Sequence, residues 1–447
     1  MSSAKKIPPL GGVCTYEEAF RIGYSVDDNV NMLKRYNYVK ARLVEMVTLH
    51  MNGTPEWEIK GAMSLHVWLD SEHSAWIRKR VSEMREPPLH LDKVPDERLK
   101  TFLDEALHAR SSLELVVGIY GVVRPALREA LERHIGETNP LVDQPTSRVL
   151  KLILGEEKEM ADWGDAAIEA LTDDPAAAAE AQRWKSHLGS YLEAAGGIRG
   201  DGATVGERAP ERSAEPFEPQ WIPQRDGRFT DIWNNVDDAD RVYKDESRDP
   251  AERTWALLFK RLREMDVPEM MCSIVAQTPG KPWEYYRDMC RQIWDECRHS
   301  MMGEVGFVRH GVDWTKLPVR INWSYELNNL LTPLERHAVL YDIEFGLMPG
   351  DTGKKFEWEV TKRSGYPLAV TFHDHDWADE VLHAQIGRKW FVSRMSSHKE
   401  ALELAQRAYQ KIAETRKPYP VDNPDWWGAF YDSVRHLDLS GKERAAQ

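Results

Sequence analysis

The chain has 447 residues, of which 42% are hydrophobic and 30% charged, a globular balance that excludes wholesale disorder, a collagen-like fibre and a membrane bundle. Lysine and arginine number 59 against 73 aspartates and glutamates, and the resulting net charge of −14 disfavours nucleic acid as a partner. With four cysteines, no apolar leader and no apolar stretch of 18 residues, the sequence predicts a cytoplasmic protein without a membrane partner.

Helical periodicity recurs along the whole chain while alternating strand patterns are scarce, so we predict an all-α fold. An N-terminal extension over 1–26 precedes a first unit over 27–171, which we expect to be one four-helix bundle. Turn-forming residues at NGTP, REPP and GETNP mark its breaks. The predicted helices of this unit are 28–51, 56–85, 96–135 and 145–171.

Residues 172–250 change in composition, and we predict a partly flexible linker with one short helix there. A second bundle is expected over 251–395, followed by a C-terminal helix and an aromatic tail over 396–447 that packs back onto the bundle. The predicted helices of this part are 251–277, 282–308, 322–348, 354–395 and 397–415.

Two segments of the chain are alike. VEMVTLHMNGTPEW at 44–57 is similar to PEMMCSIVAQTPGKPW at 268–283, and WLDSEHS at 68–74 is similar to WDECRHS at 294–300. Two tryptophans are separated by 11 residues in both copies, which predicts a duplicated helical hairpin. The alternative is a pair of unrelated hairpins that share tryptophan by composition.

Two Glu-x-x-His pairs in the second unit are candidate metal ligands. Residues three apart share a helix face, so Glu296 with His299 and Glu380 with His383 can each hold one metal. Both pairs continue apolar stripes that point to the bundle core. A carboxylate on such a stripe needs a partner, because an unpaired buried charge is very costly.

Two further glutamates lie on core stripes of the neighbouring helices. Glu269 is 27 residues before Glu296 around the TPGKP turn, so an antiparallel hairpin places the two at similar heights. Glu344 is 36 residues before Glu380. One glutamate from each of two helices and one Glu-x-x-His from each of two others is the ligand set of carboxylate-bridged dimetal bundles. Glu264 and Glu335 stay open as alternatives to Glu269 and Glu344.

The second half resembles the ferritin-like superfamily of dimetal carboxylate proteins, in particular its uncharacterised bacterial branch related to tRNA-hydroxylating monooxygenases. The resemblance covers about 251–395 and rests on EMMCSIVAQTP, WDECRHSMMGEVGF, YDIEFGL and DEVLHAQIGRKWF. It implies two tandem ferritin-like bundles in this chain. The metal ligands that the resemblance implies are Glu269, Glu296, His299, Glu344, Glu380 and His383.

A site of this kind implies two iron ions, with manganese or a mixed manganese and iron pair as alternatives, and oxidation of a small organic substrate by O₂. An electron-donor protein is then an expected partner, and a homodimer stays open. Two rival functions remain at this point. One is a metal-binding or scaffold protein without catalysis, and the other is a tRNA-modifying hydroxylase.

The first half departs from the ligand pattern. Glu45, Asp70 and His73 match the first three ligands, and Glu114 is the best acid for the third helix. Met160, however, stands where a histidine would follow Glu157. Since a site that lacks a ligand binds metal weakly, we expect this half to be a structural pseudo-repeat.

Overall fold

The computed structural model describes residues 7–85, 90–202, 210–236 and 238–439. Over these residues the chain forms helices joined by turns and loops, with no strand. The predicted all-α class is therefore confirmed. Contacts divide the chain into two compact units, Met1–Met46 with Leu69–Glu218 and Val47–Trp68 with Pro219–Gln447.

The first unit contains most of the N-terminal helices. Both α2 and α3 cross the boundary, and the ends that flank the NGTP turn belong to the second unit. The helices of this part of the chain are α1 (Tyr16–Ala19), α2 (Val26–His50), α3 (Trp57–Ser82), α4 (Glu97–Leu107), α5 (Ser112–Gly118), α6 (Arg124–Glu137), α7 (Gln144–Leu171) and α8 (Pro175–Ala194).

The second unit contains the candidate metal ligands. Its helices are α9 (Asp238–Lys244), α10 (Pro250–Leu262), α11 (Asp266–Ala276), α12 (Trp283–Val308), α13 (Asn322–Leu330), α14 (Pro333–Gly346), α15 (Lys354–Ser364), α16 (Pro367–Trp390), α17 (His398–Thr415) and α18 (Trp426–Val434). In this unit α12 packs against α10, α11 and α16, and α14 packs against α11, α16 and α17.

Among the described residues of 172–250 the chain forms two packed helices, where a linker with one short helix was expected. Over 20 residues, α8 packs against α4 and α5 and buries Trp184, Leu188 and Tyr191, which share one helix face. The other helix, α9, packs against α10. The alanine-rich composition of α8 concealed its apolar face.

A 3₁₀ turn separates α10 from α11. It spans Arg263–Met265, in the middle of a range that was predicted to be one continuous helix. Pro268 provides the physical reason, because its missing N–H cannot donate to the carbonyl of Glu264 and its ring crowds that group. The turn changes the phase of the helix just where a ligand was expected.

Proline also divides the two later predicted helices. Thr332 caps α14, Pro333 takes its first position, and Glu335 completes a capping box with Thr332. Gly365 ends α15 at φ 70°, a left-handed conformation that glycine adopts without strain, and Pro367 begins α16.

The aromatic tail packs onto the second unit, as its composition predicted. Trp426 and Trp427 are buried on α18, and Phe259 of α10 lies 4.5 Å from Trp426 between ring centroids. Rings of this size bury large apolar areas and fix α18 on the core.

Candidate metal centre

Three glutamates and a histidine meet inside the second unit. Glu296 comes from α12, Glu344 from α14, and Glu380 with His383 from α16. One ligand atom of each lies within 4.8 Å of all the others, and all four side chains are buried. A carboxylate-rich group with an imidazole in so small a space has the donor chemistry that first-row divalent metals take.

A second group of three side chains also combines carboxylates with one histidine in a small space. Glu264 of the 3₁₀ turn, His299 of α12 and Asp376 of α16 place one ligand atom each within 4.8 Å of one another. His299 Nδ1 lies 3.6 Å from Glu264 Oε2 and 3.4 Å from Asp376 Oδ1. Each group therefore contains one histidine of the two Glu-x-x-His pairs.

The glutamates of the two pairs lie between the two histidines. Glu296 places Oε2 at 3.5 Å from His299 Nδ1 and Oε1 at 3.1 Å from His383 Nδ1. Glu380 places Oε1 at 3.9 Å from His299 Nδ1 and Oε2 at 3.4 Å from His383 Nδ1. Each carboxylate thus turns one oxygen to each histidine, an arrangement suited to joining two metal ions.

Each histidine presents its other nitrogen to an aspartate on the opposite helix. His299 Nε2 lies 3.2 Å from Asp379 Oδ2, and His383 Nε2 lies 3.4 Å from Asp295 Oδ2. Arg298 forms ion pairs with both aspartates. A carboxylate on the outer nitrogen fixes the ring orientation and raises the basicity of the inner nitrogen, as in metal-binding histidines.

Several buried polar atoms at the centre of these groups have no hydrogen-bond partner. Over the described ranges they include Nδ1 of both histidines and one oxygen each of Glu264, Glu344 and Glu380. A buried donor or acceptor without a partner costs about 1–3 kcal/mol, so this concentration is unusual. Metal ions between the two groups would engage all five atoms, and the residues therefore fit a metal centre.

The carboxylates of the two groups outnumber the cations beside them. There are five carboxylates, and the permanently charged side chains that contact them in the described ranges are Arg261 and Lys354. Lys354 Nζ lies 2.8 Å from both Asp376 Oδ1 and Glu380 Oε1. Arg261 pairs with Asp376 and Glu264. The immediate surroundings of these two groups are thus short of positive charge.

This excess of negative charge favours bound protons. Burial, and then the neighbouring Glu380 carboxylate, raises the pKa of Glu344 well above its ordinary value. Burial also raises the pKa of Glu264 to about 7. Burial alone would lower the pKa of His299, but Asp376 and the other nearby carboxylates raise it to about 10. A divalent cation would supply the same compensation without protons.

Glu269, the expected ligand from the first helix of this unit, is not part of either group. Its carboxylate pairs with Lys60 and Arg225 and accepts a hydrogen bond from Ser324 Oγ at 3.2 Å. The interruption before α11 rotates Glu269 away from the centre and brings Glu264 there instead. The apolar stripe on which Glu269 was placed requires an uninterrupted helix. The prediction of Glu269 as a metal ligand is therefore corrected.

The structure separates the two candidates of the third helix. Glu344 joins the first group, and its Oε1 accepts a hydrogen bond from Gln292 Nε2 at 2.9 Å. Glu335 lies at the start of the same helix, where it caps the backbone of Thr332 and pairs with Lys411 at 3.1 Å. Glu335 is therefore occupied as a capping residue.

The first unit contains a buried cluster of two acids and two cations. Lys40 Nζ lies 2.7 Å from Asp70 Oδ1 and also pairs with Glu157. Arg124 lies 2.7 Å from Asp70 Oδ2 and 2.9 Å from Glu157 Oε1. Burial opposes ionisation, but Arg124 and Lys40 hold the pKa of Asp70 well below its ordinary value. Charges balance in this cluster, in contrast to the centre of the second unit.

Other predicted first-half ligands lie elsewhere. Glu45 is half exposed and pairs with Arg42 on its own helix, because the side chain that α2 directs to the core is Lys40. Glu114 pairs with Arg212 at 2.7 Å. These placements correct the expected ligand set of the first half.

The predicted ligand His73 lies beside two acidic side chains of the first unit. It shares a candidate group with Asp70 and Glu157, while its Nε2 lies 2.5 Å from Glu156 Oε2. Met160, where a second histidine would be needed, is buried.

Sequence reasoning missed the outer aspartates of the second unit, although a local signal was present. Both motifs read Asp-Glu-x-x-His, as DECRH from Asp295 and DEVLH from Asp379. A duplicated aspartate directly before the ligand glutamate points about 100° away from it on a helix, toward the neighbouring helix. Lys40, Arg124 and Lys354 carried no comparable signal.

The outer aspartates yield a graded prediction. Replacing Asp295 or Asp379 by asparagine should weaken metal binding about 10–100-fold while the number of sites at saturation stays the same, because each only orients a histidine. Competition of Mn²⁺ with a chelator of known affinity measures this loss. Asp288→Asn, which removes a carboxylate of the same helix bound to Lys389, is the matched control. Equal weakening in the control would contradict the role assigned to the outer pair.

Comparisons with models of protein families, with curated proteins and with solved structures each gave no match to this chain. In the described ranges, every helix falls short of the length or apolar content needed to cross a bilayer.

Proposed function

We propose that the second unit is a ferritin-like four-helix bundle that holds two iron ions and oxidises a small organic substrate with O₂. The ligands in this proposal are Glu264, Glu296 and His299 for one ion and Glu344, Glu380 and His383 for the other. The observation that supports this proposal most directly is that Glu296 and Glu380 each direct one carboxylate oxygen to His299 and the other to His383.

Three further features support a metal at this place. The inner nitrogens of His299 and His383 are buried without hydrogen-bond partners, and their outer nitrogens face aspartates. The carboxylates exceed the cations around them. Finally, five of the six ligands come from the packed helices α12, α14 and α16, and packed helices are suited to fixing coordination geometry.

When bound, a reduced iron pair would supply electrons for the activation of O₂. The net hydroxylation consumes C–H, O₂, two electrons and two protons, and it yields C–OH and one water. The residues of the chain would bind the metal ions and orient the metal-binding imidazole rings. Asp295 and Asp379 orient the imidazole rings, and Arg298 pairs with both aspartates. The two electrons imply a donor protein as partner.

We further propose that the first unit is a second ferritin-like bundle whose metal centre has been replaced by an ion-pair cluster. Asp70 and His73 match Glu296 and His299 in spacing, and all four are buried. Glu157 is buried beside Asp70 and His73 and corresponds to Glu380. The contact of His73 with Glu156, directly before Glu157, matches that of His299 with Asp379, directly before Glu380.

The replaced positions explain why this second bundle would not need metal. Lys40 and Arg124 supply the two positive charges between the acids, and Met160 removes the remaining histidine. An ammonium and a guanidinium satisfy the carboxylates through charge-assisted hydrogen bonds.

The rival function is a scaffold whose buried acids pair only with side chains. Lys354 favours it, because this ammonium already lies 2.8 Å from Glu380. Arg261 acts in the same direction at Asp376. Under this alternative the chain would bind no stoichiometric metal.

Metal content and oxygen uptake distinguish these functions. After anaerobic loading with Fe²⁺ and removal of excess, we expect about two iron ions per chain and rapid uptake of O₂ with a near-ultraviolet absorbance change. Metal analysis and an oxygen electrode measure both. A protein that retains no iron supports the scaffold. Two bound ions without oxygen uptake would retain the site and reject the oxidase function.

A further inference from the structure

A cavity of about 280 Å³ lies at one end of the second unit, on the same helices as the candidate metal centre. His337 of α14 is in its wall, seven residues before Glu344. Trp390 of α16 is in its wall, seven residues after His383. Seven residues of α-helix rise about 10.5 Å, so the cavity lies two turns along the bundle from the ligands.

The chemistry of this cavity is cationic and apolar. Lys281 and Arg394 contribute the charges, while Trp390, Phe391 and Met395 contribute apolar surface. The described residues that line it include no carboxylate. In a chain of net charge −14 such a concentration of positive charge is distinctive.

The nearby acids are already engaged. Asp288 accepts a hydrogen bond from Trp390 Nε1 at 2.8 Å but pairs with Lys389 at 2.6 Å. Glu335, which caps the lining residue Thr332, pairs with Lys411. Within the described ranges neither Lys281 nor Arg394 forms an ion pair, so their charge is available to a ligand.

Two buried side chains beside the cavity lack a partner: the His337 ring lacks a hydrogen bond at Nε2, and the Arg336 guanidinium lacks a carboxylate in the described structure. His337 is 93% buried and its Nε2 has no hydrogen-bond partner in the described structure. Burial, and then Lys281 and Arg394, lower its pKa to about 4, so the ring is neutral. Behind the wall, the buried Arg336 binds only neutral groups, Ser273 Oγ at 2.5 Å and the lining residue Gln277. An anion in the cavity would compensate this positive potential.

We propose that this cavity binds a small organic anion and that this anion is the substrate of the metal centre. Lys281 and Arg394 bind the carboxylate, Trp390 and Phe391 contact the apolar part, and His337 Nε2 makes the remaining hydrogen bond. The substrate role rests on the proposed dimetal function, whereas anion binding stands without it. The volume suits a molecule of about a dozen heavy atoms, below the range of drug-sized pockets.

Binding can be measured with defined probes. Calorimetric titration should show saturable binding of 3-phenylpropanoate that is about ten-fold or more tighter than binding of 3-phenylpropan-1-ol, which has the same apolar part without the charge. Phenyl phosphate and hexanoate test whether phosphate replaces carboxylate and whether the ring matters. Equal affinity for acid and alcohol, or no saturation by any anion at about 10 mM, would overturn the proposal.

Surface variants locate the bound anion. Lys281→Gln with Arg394→Gln should lose about ten-fold or more in affinity for 3-phenylpropanoate. Lys355→Gln with Arg435→Gln removes the same charge from exposed positions outside the cavity and should leave binding unchanged. Equal loss in both double variants would place the anion elsewhere and refute the assignment.

Titrations of chelator-treated and Mn²⁺-loaded protein separate the two proposals. Anion binding without any metal binding rejects the dimetal centre and the substrate role but keeps the anion site. Metal binding without anion binding keeps the dimetal centre but rejects the anion site and, with it, the substrate role of the anion. When both bind, a change in the electron paramagnetic resonance spectrum of Mn²⁺ on adding 3-phenylpropanoate supports the substrate role, and an unchanged spectrum refutes it.

Discussion

Replacing His299 or His383 by alanine should remove most of the metal that the protein binds, because each supplies the one imidazole of its ligand group. The loss of a direct ligand from a buried site has a larger effect than the loss of an outer aspartate, which only orients the ring. Elemental analysis after anaerobic loading measures metal per chain. Circular dichroism verifies that each variant keeps its helices.

Two other histidines provide controls for this experiment. His73→Ala removes the corresponding imidazole of the first unit, and His373→Ala removes a buried ring of α16 whose Nδ1 is 2.9 Å from the carbonyl oxygen of Ala369. Both variants should keep full metal content. Equal loss from His73→Ala would show that the first unit also binds metal, and the pseudo-repeat interpretation would be wrong.

Replacing Lys40 by methionine should destabilise the protein by about 3–5 kcal/mol, because Asp70 and Glu157 then share Arg124 as their single remaining cation. Breaking a buried pair leaves a carboxylate without compensation, and that cost exceeds the value of the pair itself. Urea unfolding followed by circular dichroism measures the change. Metal content should not change, because this cluster is separate from the metal ligands.

A double variant tests the electrostatic cause. Lys40→Met with Glu157→Gln removes one charge of each sign and leaves the close pair of Arg124 and Asp70. This variant should recover much of the lost stability. If the double variant were as unstable as Lys40→Met alone, charge balance would not explain the stability of this cluster.

The sequence predicted the uninterrupted helices well, because periodicity and proline signals are local, but the helix expected over 96–135 is three helices, α4, α5 and α6. The helix expected over 282–308 is Trp283–Val308, and that expected at 397–415 is His398–Thr415. The failures lie where a helix is interrupted inside a periodic stretch. The 3₁₀ turn before Asp266 changes which glutamate of the first helix faces the core, and no apolar pattern records that change.

Part of the candidate site could be predicted from the sequence, because helical periodicity is a local signal. Glu296, His299, Glu380 and His383 were predicted from helical spacing together with the apolar stripes that each pair continues, since Glu105 and His108 have the same spacing. Long-range partners could not be predicted in this way, since the meeting of Lys354 with Glu380 depends on how α15 packs against α16. The doubled Asp-Glu-x-x-His was visible in the sequence, but the contact of each aspartate with the other motif's histidine requires two helices in a fixed register.

That reciprocal contact restricts how the second unit can move. A slide of α12 along α16 by one turn, about 5.4 Å, would break the contacts of His299 with Asp379 and of His383 with Asp295 together. Sliding of packed helices is a common way for proteins to open a path to a buried site. These two contacts oppose such shear, so in the proposed oxidase a substrate would enter at the ends of α12 and α16, where side chains can rotate without shifting either helix.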